Sequence, residues 1–221
     1  MDNLVRKIEL PLAKREVEKA GLYIVPKGRI KELAKIAADA YVDYPLHNWF
    51  FGGKYDTYAS EKIMEISLKT MVKDAVIYAD SEDMNGFAAW LPLGFNGNKV
   101  LPFVACGGLG LAFYPGPAII GRLITYENYA MNLKKEFTEN YDWYLYNLSI
   151  KKAAQGKGIA SKLMRPMLQF CDDERMVAYL ETNKESNVGM YTHYGFDLMR
   201  SEPIPKTPVM HYSMVRNPRG E

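Results

Sequence analysis

Residues 150–164 read IKKAAQGKGIASKLM and join an apolar, strand-like run to a segment with helical spacing. Gly156 and Gly158 lie at the junction between the two. The first turn of a helix has backbone N–H groups without internal acceptors, and the aligned peptide dipoles make that end partly positive. A phosphate group satisfies both, provided that its oxygens reach the backbone without meeting side chains. Because glycine has no side chain, this stretch is suited to bind a diphosphate.

The neighbouring residues extend this candidate phosphate site. Ala160 and Ser161 are small and continue it onto the first helical turn, and Lys157 adds positive charge, with Lys151 and Lys152 as nearby candidates. An ordinary glycine turn between a strand and a helix is the purely structural alternative.

Two other phosphate-binding motifs fit the stretch poorly. A P-loop, G-x-x-x-x-G-K-[ST], needs glycine and a hydroxyl where this chain has Lys151 and Gly158. A dinucleotide-binding G-x-G-x-x-G needs a third glycine where Ser161 stands, and it comes early rather than late in a βαβ pattern.

Short strands alternate with helical patterns along the rest of the chain, which predicts an α/β sheet in a single domain, residues 1–221. Residues 93–140 are predicted to be a helical insertion between the third and fourth strands. Residues 1–20 are predicted to be an N-terminal extension, a helix packed on the outside of the domain. The predicted strands are 21–26, 75–80, 85–92, 143–150, 176–182 and 209–215. The predicted helices are 28–40, 58–73, 117–139, the run from the glycine motif to near Cys171, and 186–194, with 44–56 as an aromatic-rich loop.

Residues 100–121 form an uncharged segment long enough to span a membrane as a helix. Three prolines and five glycines interrupt it, and a lipid-facing helix tolerates such breaks poorly. We therefore expect a buried, irregular wall of the fold and no membrane association.

The charge and cysteine content argue against nucleic-acid binding and against a metal site. A net charge of +2 gives no general affinity for polyanions, and no basic stripe suggests nucleic-acid binding. Cys106 and Cys171 match no metal-ligand spacing, so no metal site is predicted. Charged residues among the first apolar positions argue against a signal peptide, and we expect a cytoplasmic protein, monomeric or homodimeric.

The glycine motif resembles motif A of the GNAT superfamily of N-acetyltransferases, [RQ]-x-x-G-x-[GA], with Gln155 in its first position. About 30 residues later NVGMYTHYGF is similar to motif B of that superfamily, a short helix with Tyr-x-x-x-Gly-Phe at its end. Tyr191, Gly195 and Phe196 occupy those places. Residues 143–200, and more weakly 20–218, resemble the puromycin N-acetyltransferase group in particular. The uncharged insert and Lys152, in place of a usual proline, depart from that group and put puromycin itself in doubt.

The resemblance implies a GNAT fold, with a mixed sheet that splays between the fourth and fifth strands near Asn147. It also implies acetyl-CoA as the donor and a primary amine as the acceptor in one ternary complex. The pantetheine arm would lie along Leu148, Ser149 and Ile150, and the Leu148 N–H would stabilise the developing oxyanion. The diphosphate would lie on the amides of Gly156, Lys157, Gly158, Ile159, Ala160 and Ser161, while Gln155 either braces the loop or contacts the phosphates.

Three residues are candidates for proton transfer or cofactor contact. Tyr191 matches the position from which the superfamily often protonates the departing thiolate; packing of its helix is the alternative. Asn187 lies one turn earlier and either contacts the cofactor or orders the preceding turn. Glu181 ends the fifth strand and is a candidate base, or a solvated carboxylate without a role.

Aromatic residues before and within the sheet are candidates for an acceptor pocket, with a place in the core as the alternative. They are Tyr44, Trp49, Phe50, Phe51 and Trp90. His47 and His193 are possible titrating groups, each with a structural role as the alternative.

The predicted function is acetyl transfer from acetyl-CoA to a primary amine of a small molecule. Acetylation of a protein or peptide is the alternative within the enzyme class. A catalytically silent acyl-CoA-binding sensor is the alternative outside it.

Overall fold

A single mixed sheet with helices on both faces organises the fold, and the computed structural model describes residues 2–93, 100–136 and 142–220. The strands are β1 (Tyr23–Ile24), β2 (Val76–Ala79), β3 (Gly86–Pro92), β4 (Trp143–Ile150), β5 (Ala178–Thr182), β6 (Asp197–Pro203) and β7 (Met210–Arg216). The helices are α1 (Asp2–Lys19), α2 (Ile30–Ala40), α3 (Pro45–Phe50), α4 (Thr57–Met71), α5 (Val100–Ala105), α6 (Pro117–Lys135), α7 (Ile159–Asp173) and α8 (Glu185–His193). The strand order is β1-β2-β3-β4-β5-β7-β6.

The two faces of the sheet have separate apolar cores. On β3, Ala88 and Trp90 belong to the core that includes α1 and α7 side chains. Phe87 and Ala89 point the other way, into the core formed with α2 and α4. Every residue of β3 is buried, as expected for a central strand covered on both faces.

The sheet splits between β4 and β5, its only parallel pair among the described strands. Pairing joins Trp143 to Ala178 and ends at Leu145 with Leu180, although β4 continues to Ile150. The backbone of β4 beyond Leu145 therefore borders a gap. This confirms the predicted α/β sheet with a central splay.

Two local predictions were wrong. Residues 45–50 form α3 rather than a loop, because Pro45 stands at the start of a helix, where its fixed φ and missing N–H are tolerated. Strand β6 was not predicted at all. It is a largely exposed edge strand with a register shift after Leu198, so its sequence lacks the alternation that marks a half-buried strand.

The uncharged segment is not a buried wall, which corrects the prediction for residues 100–121. It forms α5, a 3₁₀ turn over Gly108–Ala112 and the start of α6. Leu111 is buried against α3 and α4 side chains, but Leu109 is 64% exposed and Phe113 is 91% exposed. Within the described residues, no helix combines the length and hydrophobicity that crossing a membrane requires. The end of the predicted 117–139 helix lies outside the described residues.

A buried ion pair between Arg216 and Asp172 connects the last strand, β7, to α7. The Arg216 guanidinium donates to both carboxylate oxygens of Asp172, at 2.8 and 2.6 Å, and its Nε donates to the Tyr194 carbonyl. Burial alone would raise the pKa of Asp172, but the hydrogen bonds from Arg216 and from the Arg219 N–H outweigh it and lower the pKa. The pair thus joins β7, α7 and the turn after α8.

We expect Asp172→Asn to lower the free energy of unfolding by about 2 kcal/mol at pH 7, because it leaves the Arg216 charge buried without its carboxylate. Since the folded-state pKa is lowered, this stabilisation is present above the unfolded pKa and is lost as the pH falls through the folded value. Urea unfolding from pH 7 down to acid measures it. Asp173→Asn, at the exposed neighbouring position, is the matched control. Equal losses in the two variants would contradict the argument.

Candidate active site

The loop before α7 presents open backbone at a helix start. Gly156 and Gly158 have φ of +76° and +77°, in the left-handed region that favours glycine. A Cβ added at either position would meet nothing within 4 Å. In the described part of the chain, the N–H groups from Gly156 through Ser161 have no hydrogen-bond acceptor. This is the arrangement that a bound diphosphate would satisfy.

The side chains around this loop divide into bracing and open groups. Gln155 Nε2 donates to the Ile150 carbonyl at 3.2 Å, so Gln155 braces the loop in this structure. Lys152 is engaged elsewhere, because its Nζ contacts Asp43 at 2.6 Å and its N–H donates to Asp39. Lys157 is exposed beside the glycines. Of the predicted lysines, Lys157 is therefore better placed than Lys152 to add charge.

Strand β4 turns part of its backbone toward the gap. The Lys151 N–H donates to the Asn85 carbonyl at the end of the β3–β4 ladder. Antiparallel pairs alternate between residues that exchange hydrogen bonds and residues that do not. In this register Ser149 pairs with β3 through its backbone, whereas Leu148 and Ile150 direct their N–H and C=O groups to the opposite side. That side is the gap between β4 and β5.

A β-bulge in β4 brings two consecutive side chains to one face. Ala89 pairs with Asn147 and Trp90 with Leu145, so Tyr146 is the extra residue. Tyr146 and Asn147 consequently line the same pocket. Asn147 Nδ2 donates to the Tyr41 hydroxyl at 2.7 Å and its Oδ1 accepts from Ser149, which fixes the amide.

The pocket beside the bulge has a volume of about 170 Å³ and lies between the residue that follows α2, the helices α3, α4 and α6, and the split strands. It is lined by aromatic and apolar side chains with a few polar groups. The lining residues are Tyr41, Tyr44, Leu46, His47, Phe50, Ile63, Met64, Ser67, Leu123, Tyr126, Glu127, Ala130, Met131, Tyr144, Tyr146, Asn147, Glu181 and Asn183. The described residues contain no cluster of side chains that would hold a metal ion.

Glu181 projects into this pocket from the end of β5. Its carboxylate accepts hydrogen bonds from the Tyr179 hydroxyl at 2.8 Å and the Tyr144 hydroxyl at 3.3 Å. These bonds hold the carboxylate in one orientation, beside the gap. The geometry therefore holds the Glu181 carboxylate in the pocket, beside the end of the β4–β5 pairing.

Tyr191 is buried on α8, where its ring packs on Phe196. Burial, followed by the neighbouring Tyr44 and Tyr41 hydroxyls, raises the pKa of Tyr191, so it stays protonated at neutral pH. Within the described residues its hydroxyl makes no hydrogen bond. Asn187, one turn earlier, donates to Thr182 Oγ1 at 3.2 Å, which supports its alternative role of ordering the turn after β5.

Tyr44 connects the acceptor side to the end of β5. Its hydroxyl lies 2.9 Å from Thr182 Oγ1 and accepts from the Asn183 N–H at 2.8 Å. His47 stacks on Tyr41, with ring centroids 4.2 Å apart, and burial lowers its pKa to about 3. His47 is therefore neutral at physiological pH and acts as an aromatic wall. His193 is exposed and contacts Tyr194, away from the pocket lining.

Three of the proposed acceptor-pocket aromatics lie elsewhere. Trp90 is fully buried in the α7-side core, where its Nε1 donates to the Tyr78 hydroxyl, because β3 turns that position away from the pocket. Trp49 and Phe51 pack in the cluster between α3, α4 and α6. Tyr44 and Phe50 line the pocket, and their role in acceptor binding stays a prediction.

The contribution of α6 was missed from the sequence. Its pocket-lining residues recur at helical spacing, which is the signal that would have revealed a stripe facing one site. They are Leu123, Tyr126, Glu127, Ala130 and Met131. Tyr144 and Tyr146 of β4 were missed as well, although their spacing places them on one face of a strand.

Comparison with known proteins identifies relatives with this architecture. A curated relative, an uncharacterized N-acetyltransferase of Schizosaccharomyces pombe, is 35% identical over 85 residues. The match covers 38% of this chain and about a third (34%) of that protein.

Solved structures are similar in fold at low sequence identity. A Corynebacterium glutamicum protein, described as histone acetyltransferase HPA2 and related acetyltransferase, has a TM-score of 0.58 at 15% identity, over 90% of this chain and 97% of that one. Arylalkylamine N-acetyltransferase 2 of Aedes aegypti gives 0.56 at 16%, over 90% and 98%. Polyamine N-acetyltransferase of Drosophila melanogaster gives 0.56 at 9%, over 89% and 98%.

A family model identifies the superfamily directly. The model described as Acetyltransferase (GNAT) family matches residues 79–196, more than half of the 221 residues and the whole stretch from the end of β2 to the turn after α8. Both predicted motifs and the split between β4 and β5 lie within it. The chain belongs to the acetyltransferase (GNAT) family.

Proposed function

We propose that this protein is an N-acetyltransferase that transfers the acetyl group of acetyl-CoA to a primary amine of a small molecule. One observation carries the proposal: β4 leads at its end into a helix start rich in unpaired N–H groups, and its bulge lines a tyrosine-rich pocket that contains Glu181. A donor site and an acceptor site thus meet along one strand. Within the family, the closer resemblance to the puromycin N-acetyltransferase group remains part of this proposal.

The residues present fit acetyl-CoA. The open backbone at Gly156 and Gly158 leaves room for a diphosphate, and the α7 dipole favours its charge. The backbone of Leu148 and Ile150 is directed into the gap, where a pantetheine arm can pair with it as an added strand does. Bound there, acetyl-CoA would supply an activated acetyl thioester.

Each catalytic role then falls to a group of this chain. Glu181 accepts a proton from the attacking amine, whose nitrogen forms a bond to the carbonyl carbon. The Leu148 N–H donates to the carbonyl oxygen as negative charge develops there. Tyr191 donates its proton to the sulfur as the C–S bond breaks, and solvent returns the proton from Glu181 to Tyr191. The products are an acetamide and free coenzyme A.

Two measurements test the activity. Calorimetric titration with acetyl-CoA detects binding, which both an enzyme and a silent sensor would show. Release of free thiol on addition of a panel of primary amines shows turnover, which only the enzyme would show. Binding without thiol release from any amine would favour the sensor and contradict the proposal.

We expect Gly158→Ala to raise the Kd of acetyl-CoA about tenfold, because an L residue disfavours the left-handed conformation by about 1–2 kcal/mol and shifts the loop away from the binding geometry. Calorimetry measures the change. Gly21→Ala is a matched control, since Gly21 also has positive φ (+72°) and open space around it but lies before β1. A Kd that changes equally in both variants, or in neither, would contradict the assignment of the glycine loop.

A further inference from the structure

The acceptor pocket has an asymmetric charge. Among its lining residues, Glu127 and Glu181 carry carboxylates and none carries a positive charge, because His47 stays neutral with a pKa of about 3. A cleft lined by one sign of charge concentrates ligands of the opposite sign. The pocket therefore favours cationic acceptors and disfavours amines that also bear a carboxylate.

The two carboxylates lie at different depths. Glu181 is half-buried at the end of β5 and held by two tyrosine hydroxyls. Glu127 is exposed on α6, on the solvent side of the pocket. Burial raises the pKa of Tyr126, and the charges of Glu181 and then Glu127 raise it further. Both carboxylates thus influence the Tyr126 hydroxyl.

Aromatic rings share the pocket lining with the two carboxylates. Tyr126, Tyr144 and Tyr146 join Phe50 and the Tyr41–His47 stack in the lining. Such faces bind methylene groups by apolar contact and attract ammonium groups through their π electrons. A flexible alkyl chain with a charge at each end matches this combination better than a single ammonium group does.

We propose that the acceptor is a short aliphatic diamine or a similar linear amine with a second positive charge, its reactive amine at Glu181 and its distal cation at Glu127. This inference rests on the proposed acetyltransferase function. Glu127 would then determine specificity, without taking part in the bond changes.

Matched acceptors test the distal charge directly. With saturating acetyl-CoA, thiol release is measured for 1,4-diaminobutane and 1,5-diaminopentane, and for 1-aminopentane and 5-aminopentanoic acid, which replace the second cation with a methyl group or a carboxylate. We expect kcat/KM to be about fivefold to tenfold higher for the better diamine than for 1-aminopentane, as expected for a partly exposed charge pair beside aromatic rings. The amino acid should be the poorest substrate.

Variants at the mouth of the pocket separate this inference from the proposed function. Glu127→Gln should bring the ratio of kcat/KM between diamine and monoamine close to one, and Glu127→Lys should rank 5-aminopentanoic acid above the diamines. Glu18→Gln removes an exposed carboxylate of α1, outside the pocket lining, and should leave the ratio unchanged. Thiol release with equal efficiency for monoamine and diamine, or a ratio unaffected in Glu127→Gln, would overturn the diamine inference and leave the acetyltransferase proposal standing. Absence of thiol release from every amine would overturn both.

Discussion

Replacing Tyr191 with phenylalanine is expected to lower kcat about 10³-fold, within the range that a positioned general acid contributes. The Tyr191 hydroxyl has the Tyr44 and Tyr41 hydroxyls as electrostatic neighbours, and burial raises its pKa, so it stays protonated at neutral pH. Since the hydroxyl makes no hydrogen bond within the described residues, its loss should leave the Kd of acetyl-CoA and the melting temperature nearly unchanged. Thiol-release kinetics, calorimetry and thermal unfolding measure the three quantities.

A buried tyrosine elsewhere in the same core is the control. The Tyr78 hydroxyl donates to the Leu163 carbonyl and accepts from Trp90 Nε1. Tyr78→Phe should therefore lower the free energy of unfolding by about 2 kcal/mol, because each lost buried hydrogen bond costs about 1 kcal/mol, and should leave kcat within about twofold. The opposite pattern for Tyr191→Phe separates a chemical role from a packing role. If Tyr191→Phe loses stability but turns over at the normal rate, the residue packs α8 and another group protonates the thiolate.

The open glycine loop before α7 was predictable because its signals are local. Glycines between a strand and a helix place open backbone at the helix start, whatever the remainder of the chain does. Strands β2 to β5 were also recognisable, since buried central strands have continuous apolar or alternating sequences. The split between β4 and β5 followed from the family resemblance, and no local pattern in either strand marks where their pairing ends.

The proposed acceptor pocket depends on contacts between residues far apart in the chain. Glu127 and Glu181 share a pocket only because α6 packs beside the split sheet. The bulge at Tyr146 reverses the alternation of β4, so a regular strand would have placed Asn147 on the opposite face. Trp90 was predicted as a pocket residue, but it is fully buried in the core on the α7 side of the sheet. Composition does not distinguish a core aromatic from a pocket aromatic.

Replacing Glu181 with glutamine is expected to lower kcat/KM for an amine acceptor about 10²-fold to 10³-fold at neutral pH. Glutamine keeps the size of the side chain and one of the two oxygens that accept from Tyr179 and Tyr144, but it cannot take a proton from the attacking amine. An alkylamine has a pKa of about 10.4, so it is mostly protonated at pH 7 and needs a base before it can attack.

The pH dependence distinguishes this role from simple electrostatic binding of the acceptor. As the pH rises toward the pKa of the amine, the neutral form becomes abundant and the need for a base falls, so the deficit of Glu181→Gln should shrink steadily. If Glu181 served only to bind the charged amine, the loss of rate in Glu181→Gln would stay constant until the amine itself lost its charge. The effect would then appear in KM more than in kcat. Thiol-release rates at saturating acetyl-CoA between pH 7 and 10, with Glu18→Gln as the control, measure the trend. A deficit that stays constant in kcat across that range would remove Glu181 from proton transfer and assign the base to another group of the pocket.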